Sequence, residues 1–240
     1  ADRKLTLGSR LLQRRVCSDV LGLPWDAVEI ARTEFGKPHF AGPKRADAHR
    51  PDLPNFNFNA SHHGDVVALA SEPLCVVGLD ASASREPPTP ETPLSAGSRP
   101  ALARASESAP ASHPQVTNER DRPPRGRSID EYLALFRGSF AEVEWAAIDG
   151  RESGGGGGGG GPRPDADDEA ARWARFYRHW SLKESYIKAH GQGLGHKVER
   201  LVFRYVDRYA PRCAEAYVTV DGGSPKPPWT FTLSKLDAEH

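Results

Sequence analysis

The sequence predicts an α+β fold of two pseudo-duplicated halves, each a helix packed on a mainly antiparallel three-stranded sheet, with a cleft between them for a ligand. Three observations predict it. Residues 4–21 and roughly 167–190 repeat apolar side chains at three- and four-residue spacing, the mark of a helix with one inward face. Short β-branched and aromatic runs follow each helix, joined by tight connections. Two low-complexity stretches interrupt the chain and set the boundaries: a first half at 1–82, a Pro/Ser-rich insertion at 83–125, and a second half at 126–240 broken by a glycine run at 154–161.

Taken in order, the first helix places Leu5, Leu12, Val16 and Val20 on one side, with Gly22 as C-cap and Pro24 as stop. Val28–Thr33 reads as a short strand and Gly36-Lys37-Pro38 as a turn. Asn55 to Ala60 alternates strictly, so Phe56 and Phe58 share one face and the asparagines the other. Val66–Ala70 and Cys75–Leu79 complete the first set of strands. The insertion is too polar to offset the entropy of ordering it and is expected to be disordered. The glycine run lacks the strand–loop–helix setting and the Lys-Ser/Thr ending of a phosphate loop, so it reads as a tether. Ile129–Phe136 is expected to be helical. Strands are expected at Leu201–Tyr205, Ala216–Val220 and Trp229–Leu233.

Composition excludes several classes of function. Thirty-two Lys plus Arg balance thirty-two Asp plus Glu, so no global field recruits nucleic acid or an anionic membrane, and any phosphate site must be local. No segment has the length or apolarity of a membrane span, and no charged-then-apolar leader opens the chain. Cys17, Cys75 and Cys213 are odd in number and widely spaced, which suits reduced thiols in the cytoplasm rather than a disulfide framework or zinc site. The expected state is a cytoplasmic monomer. The chain has no Met and starts at the run-up to a helix, so an N-terminal piece is expected to precede it.

The second long helix carries the chemistry. Glu184 lies four residues after Trp180 and three before Ile187, which puts its carboxylate on that inward stripe. A buried carboxylate must find a cation or shift its pKa. Lys188 follows one turn later and Lys183 is adjacent, while Gly191 and Gly193 end the helix and allow close backbone approach. A solvated i,i+4 Glu–Lys pair is the plain alternative. Elsewhere, Asp80 ends a Val-rich strand, Ser61-His62-His63 ends the alternating one, and Arg32 and Lys37 flank a turn.

In this order the motifs Gly36-Lys-Pro38, Phe56-Asn-Phe-Asn-Ala-Ser-His62, Val77-Gly-Leu-Asp80, Gly126-Arg-Ser-Ile129 leading to Phe140-x-x-x-Glu144-Trp145, and Phe176-Tyr-x-x-Trp-Ser-x-Lys-Glu-Ser-x-x-Lys188 resemble those of the 4′-phosphopantetheinyl transferases. The match is to the pseudodimeric, surfactin-type class, and within it to the eukaryotic enzymes serving aminoadipate reductase and fatty acid synthase. The resemblance implies transfer of 4′-phosphopantetheine from coenzyme A to a serine of an acyl or peptidyl carrier protein, in fatty acid or lysine synthesis or on polyketide or peptide synthases. It implies Asp80 and Glu184 as magnesium ligands, and Lys188, with Lys183 beside it, on the coenzyme A pyrophosphate. Arg32 and His62 are implied at the 3′-phosphate; Lys37 and Pro38 line the adenine side, with Ser61 nearby. Glu184, or a metal-bound water next to it, would be the base. Magnesium takes hard oxygen ligands and keeps waters, which suits two carboxylates and a pyrophosphate, and Arg suits a phosphate through paired hydrogen bonds. Many bacterial members carry a Glu two residues after the metal-binding Asp, where Ser82 stands here.

Two other readings share these residues: a metal-dependent coenzyme A phosphohydrolase, and a non-catalytic module that binds coenzyme A or a carrier protein. The apolar excess of Tyr132, Leu133, Leu135 and Phe136, beside Arg137, suggests a carrier-docking surface or, in the plainer reading, ordinary core.

Overall fold

Helix α1, Asp2–Leu21, ends where Gly22 adopts a φ of +64°, a left-handed conformation that a side chain disfavours. The Leu23 N–H then closes the helix end on Ser18 O at 3.1 Å, and Ser18 Oγ donates to Leu23 O at 2.6 Å. The computed structural model describes residues 2–42, 52–82, 128–151, 169–191, 197–210, 213–224 and 229–234. The insertion at 83–125, the glycine run at 154–161 and Gly193 lie outside them.

The inward face of α1 centres on Gln13 and Cys17, flanked by Val16. Leu12, expected on this face, is 40% exposed, because one residue of rotation from Gln13 carries it to the margin of the buried arc. Cys17 packs with Val28 and Phe58 in a small core shared with two hairpins. Strands β1 (Ile30–Arg32) and β2 (Pro38–Phe40) pair antiparallel, Arg32 opposite Pro38, around a turn in which Gly36 has φ +85°. Strands β3 (Asn57–His63) and β4 (Val66–Glu72) pair antiparallel along their full length, from Asn57 opposite Glu72 to His63 opposite Val66.

The third strand expected at Cys75–Leu79 does not form. This segment runs beside β3 but is held by side chains instead of a backbone ladder. Asn57 Oδ1 accepts from Val77 N at 2.9 Å, Asn59 Oδ1 from Leu79 N at 2.8 Å, and Ser61 Oγ from Ala81 N at 3.2 Å. The first half therefore carries two two-stranded ribbons, where a three-stranded sheet was expected.

In the second half, Ser128 caps α2 (Ile129–Ala134) in a reciprocal capping box with Glu131. A single tight turn at Arg137–Ser139 leads to α3, Glu142–Ile148. Tyr132, Leu133, Phe136, Phe140, Trp145 and Ile148 close over Trp173, Phe176, Tyr177 and Trp180 of α4, which spans Glu169–His190. Edge-to-face pairs such as Phe136 on Trp180 (5.1 Å, 74°) give this aromatic core its geometry. The remainder of α4 lays Leu182, Tyr186 and Ile187 on Leu201, Phe203, Ala216, Val218 and Phe231. Those residues belong to the antiparallel sheet β5 (Leu201–Ala210), β6 (Cys213–Val220) and β7 (Phe231–Ser234), in that spatial order. The α+β class and antiparallel pairing are as the sequence predicts. The apolar residues of 129–140 turn out to be core: among those named, only Leu135 and Arg137 are exposed.

Candidate active site

The candidate site forms where the 77–81 segment crosses α4. Gly78 makes the approach possible. A Cβ there would lie 1.9 Å from Ser185 O and 2.8 Å from Ala189 Cβ, so any side chain would push the segment off the helix. Two residues on, Asp80 reaches the face of α4 that carries Ser181, Glu184, Ser185 and Lys188. Ser181 Oγ donates to Asp80 Oδ2 at 2.8 Å, and Lys188 Nζ donates to Asp80 Oδ1 at 2.5 Å and to Ser61 Oγ at 3.1 Å. Ser82 Oγ and Ser181 Oγ lie 2.5 Å apart. Glu184 is half-buried on the same helix face, between Ser181 and Lys188, both of which touch Asp80. A carboxylate held by a hydroxyl and an ammonium, with a second carboxylate on the facing helix, suits an anionic ligand or a cation shared by two oxygens.

The fit to magnesium rests on this donor set. Among the described residues no three or more His, Cys, Asp or Glu groups converge as a metal cluster. Magnesium does not require one, since one or two carboxylates with phosphate and water satisfy its octahedron. Asp80 and Glu184 on facing elements, with nearby hydroxyl oxygens, are oxygen donors of the kind magnesium takes. His62 supplies an independent sign of a missing partner: its Nδ1 is buried without a hydrogen bond at the end of β3, next to Ser61.

Two family models match this chain: the N-terminal model of the 4′-phosphopantetheinyl transferases over residues 1–74, and the 4′-phosphopantetheinyl transferase superfamily model over residues 118–240. The chain belongs to the 4′-phosphopantetheinyl transferase superfamily. Similar proteins include the L-aminoadipate-semialdehyde dehydrogenase-phosphopantetheinyl transferases of rat, 32% identical, and human, 30% identical, each matched by the whole of this chain over 60% of its own length. A phosphopantetheinyl transferase of Thraustochytrium is 30% identical, over 62% of its length. The chain thus spans about 60% of the length of the curated relatives it matches.

Within this superfamily frame, Asp80, Ser61 and Lys188 meet directly, with Glu184 on the same helix face. Lys183 does not join them. It is fully buried on the opposite side of α4, where Nζ pairs with Glu144 Oε2 at 2.9 Å, donates to Val198 O at 3.3 Å and to Leu201 O, and lies 5.0 Å from the Phe140 ring centroid. Glu144 in turn accepts from Ala141 N and Phe203 N, both at 2.9 Å. Burial pushes the Lys183 ammonium below its ordinary pKa, and the Glu144 carboxylate opposes the shift. The expectation that Lys183 serves the coenzyme A pyrophosphate is therefore corrected: all its donors point into the protein interior.

Arg32 is exposed, and its guanidinium donates to Gly36 O at 2.7 Å within the β1–β2 turn. Pro38 begins β2 on the other arm of that turn. Lys37, between them in space, turns inward: Nζ donates to Ala189 O at 2.6 Å and approaches Val77 O at 3.5 Å. Sequence reasoning misses Asn57, Asn59 and Ser181, and it marks Ser82 only as the replacement of a Glu and not as a partner of Ser181. The asparagines were read only as a polar strand face. The serines carry no charge to mark them, and their partners lie about a hundred residues apart in sequence (|i−j| = 99 for Ser82–Ser181).

Proposed function

We propose that this protein transfers 4′-phosphopantetheine from coenzyme A to a serine hydroxyl of an acyl or peptidyl carrier protein, releasing adenosine 3′,5′-bisphosphate. The observation that carries this reading is the Asp80–Ser181–Lys188 cluster, whose Ser181 and Lys188 lie in the stretch matched by the superfamily model.

Asp80 and Glu184 would hold a magnesium ion, which would neutralise charge on the pyrophosphate. Lys188 supplies a positive charge where the leaving phosphate gathers negative charge. Asp80 Oδ1 holds that ammonium at 2.5 Å, which keeps it in place at the crossing of segment and helix. The attacking serine oxygen forms its bond to phosphorus as the bond to the bisphosphate oxygen breaks, and its proton must leave. Glu184 is the carboxylate on that helix face to receive it. His62, with Nδ1 buried and unpaired, and Arg32, exposed at the β1–β2 turn, are the candidates for the 3′-phosphate; Pro38 and Ser61 would flank the nucleoside.

The names of the relatives point to an aminoadipate-semialdehyde dehydrogenase as one acceptor; the motif resemblance implies that the carrier domain of fatty acid synthase would be a second. A cytoplasmic site of action is part of this proposal. The test is mass spectrometry of an apo carrier protein after incubation with this protein, coenzyme A and magnesium. A gain of one phosphopantetheine per carrier is expected. Hydrolysis of coenzyme A without carrier labelling would replace transfer with hydrolysis, and tight coenzyme A binding with no product would leave only a binding module.

A further inference from the structure

The Lys37 side chain makes contacts that a ligand-binding cation on the adenine side would not need. Its Nζ lies 2.6 Å from Ala189 O, one residue from Lys188, and 3.5 Å from Val77 O, three residues from Asp80. One ammonium thus touches the backbone on both sides of the Asp80–Lys188 pair. Its stem is enclosed as well. α4 ends at Gly191, with φ +71° and its N–H closed on Ile187 O at 3.0 Å, and a Cβ on Gly191 would sit 2.9 Å from Lys37 Cδ. The last carbonyls of a helix lack intrahelical donors and carry the negative end of the helix dipole, so a cation is the natural partner there. Gly78 brings the 77–81 segment against this same end of the helix.

We propose that Lys37 is a positioning residue: its ammonium latches the C-terminal end of α4 to the Asp80-bearing segment and to the β1–β2 turn, and so sets how Lys188 and Asp80 meet. Leaving this place to reach a phosphate would strip a donor from two half-enclosed carbonyls. Burial lowers the Lys37 pKa, in keeping with a cation held inside the protein instead of presented to solvent. The latch explains how a turn in the first half fixes the end of a helix 152 residues later.

The kinetic arm of the test rests on the proposed transfer, and the labelling arm does not. In the full chain, Lys37→Met keeps the stem and removes the donors. The turnover number is expected to fall about tenfold with the coenzyme A dissociation constant unchanged within about twofold, and Lys37→Arg should restore most of the loss. A coenzyme A dissociation constant raised about tenfold at unchanged turnover would overturn the latch, as would no change in either. Independently, wild-type protein is acetylated under limiting reagent with and without coenzyme A, and lysines are read by mass spectrometry. Lys37 should react far more slowly than exposed Lys4 in both states. Reaction as fast as Lys4 in the free protein, with protection only when coenzyme A is added, would overturn the proposal even if Lys37→Met fails to fold. If the wild type transfers nothing, the transfer reading fails alone and labelling still judges the latch.

Discussion

Ser181 Oγ donates to Asp80 Oδ2 at 2.8 Å, so the helix that carries Glu184 and Lys188 is fastened directly to the segment that carries the other carboxylate. Removing the hydroxyl leaves one carboxylate oxygen short of a donor and frees it to rotate. Ser181→Ala should lower the turnover number about tenfold while leaving the fold intact, since one hydrogen bond to a charged group contributes about 1.5–3 kcal/mol. Carrier labelling at saturating coenzyme A, beside far-ultraviolet circular dichroism, checks it. Wild-type turnover in this variant would show that the contact does not orient Asp80.

Asp80→Asn removes the charge that holds Lys188. Carrier labelling should fall below detection while the thermal unfolding midpoint moves by only a few degrees, because the pair is partly solvent-exposed. Retained labelling would remove Asp80 from the chemistry.

Lys183→Met should be strongly destabilising because it leaves Glu144 buried and unpaired, a loss of about 3–5 kcal/mol. The double variant Lys183→Met, Glu144→Gln should lose clearly less than the sum of the two single losses. Urea unfolding of all three variants measures the coupling, and strict additivity would mean the pair is not energetically joined.

Gly78→Ala should act through sterics alone. Its methyl would enter the space of Ser185 O, so the segment or the helix must move at a cost of about 1–3 kcal/mol or more. Carrier labelling should fall with stability, since the same movement separates Asp80 from Lys188. An unfolding midpoint equal to wild type would contradict the close approach.

Cys17 is a group whose ionisation should couple to stability at alkaline pH. Burial raises its thiol pKa from 9.0 to about 11. Between those values the unfolded chain loses the proton and the folded chain keeps it, so stability should fall as pH rises above 9, by at most about 1.4 kcal/mol per pH unit. Comparing urea unfolding of wild type and Cys17→Val at pH 8 and pH 10.5 isolates this contribution. Equal pH slopes would show that Cys17 is solvated.

The aromatic spacing that marks α4 was legible because Trp173, Phe176 and Trp180 must all be buried, which fixes both the helix and its inward arc. The same arc continues through Lys183 and Ile187, so the buried charge of this helix is Lys183, and Glu184 lies one residue of rotation away. That distinction is present in the spacing, since Lys183 lies three residues after Trp180 and four before Ile187. Glu144, in a helix of its own, was the matching sign. The Val-rich run at 75–79 shows the opposite difficulty. Its composition reads as a strand, yet its pairing depends on asparagine side chains of β3 about twenty residues earlier (|i−j| = 20), which no local pattern reveals. Asp80 and Lys188 were recognisable as chemistry. Their direct contact was not, since it depends on Gly78 permitting two backbones to touch.

Because the side-chain rungs of β3 hold their neighbour up to Ala81 and Ser82 is tied to Ser181, the chain leaves the site already anchored; the next described element opens at Ser128, whose capping box is self-contained. Closing a loop between two such fixed points costs only about 0.6 kcal/mol more for each doubling of its length. A change in the length of sequence between them would therefore alter the free energy little, and the carboxylate of Asp80 would keep its partners.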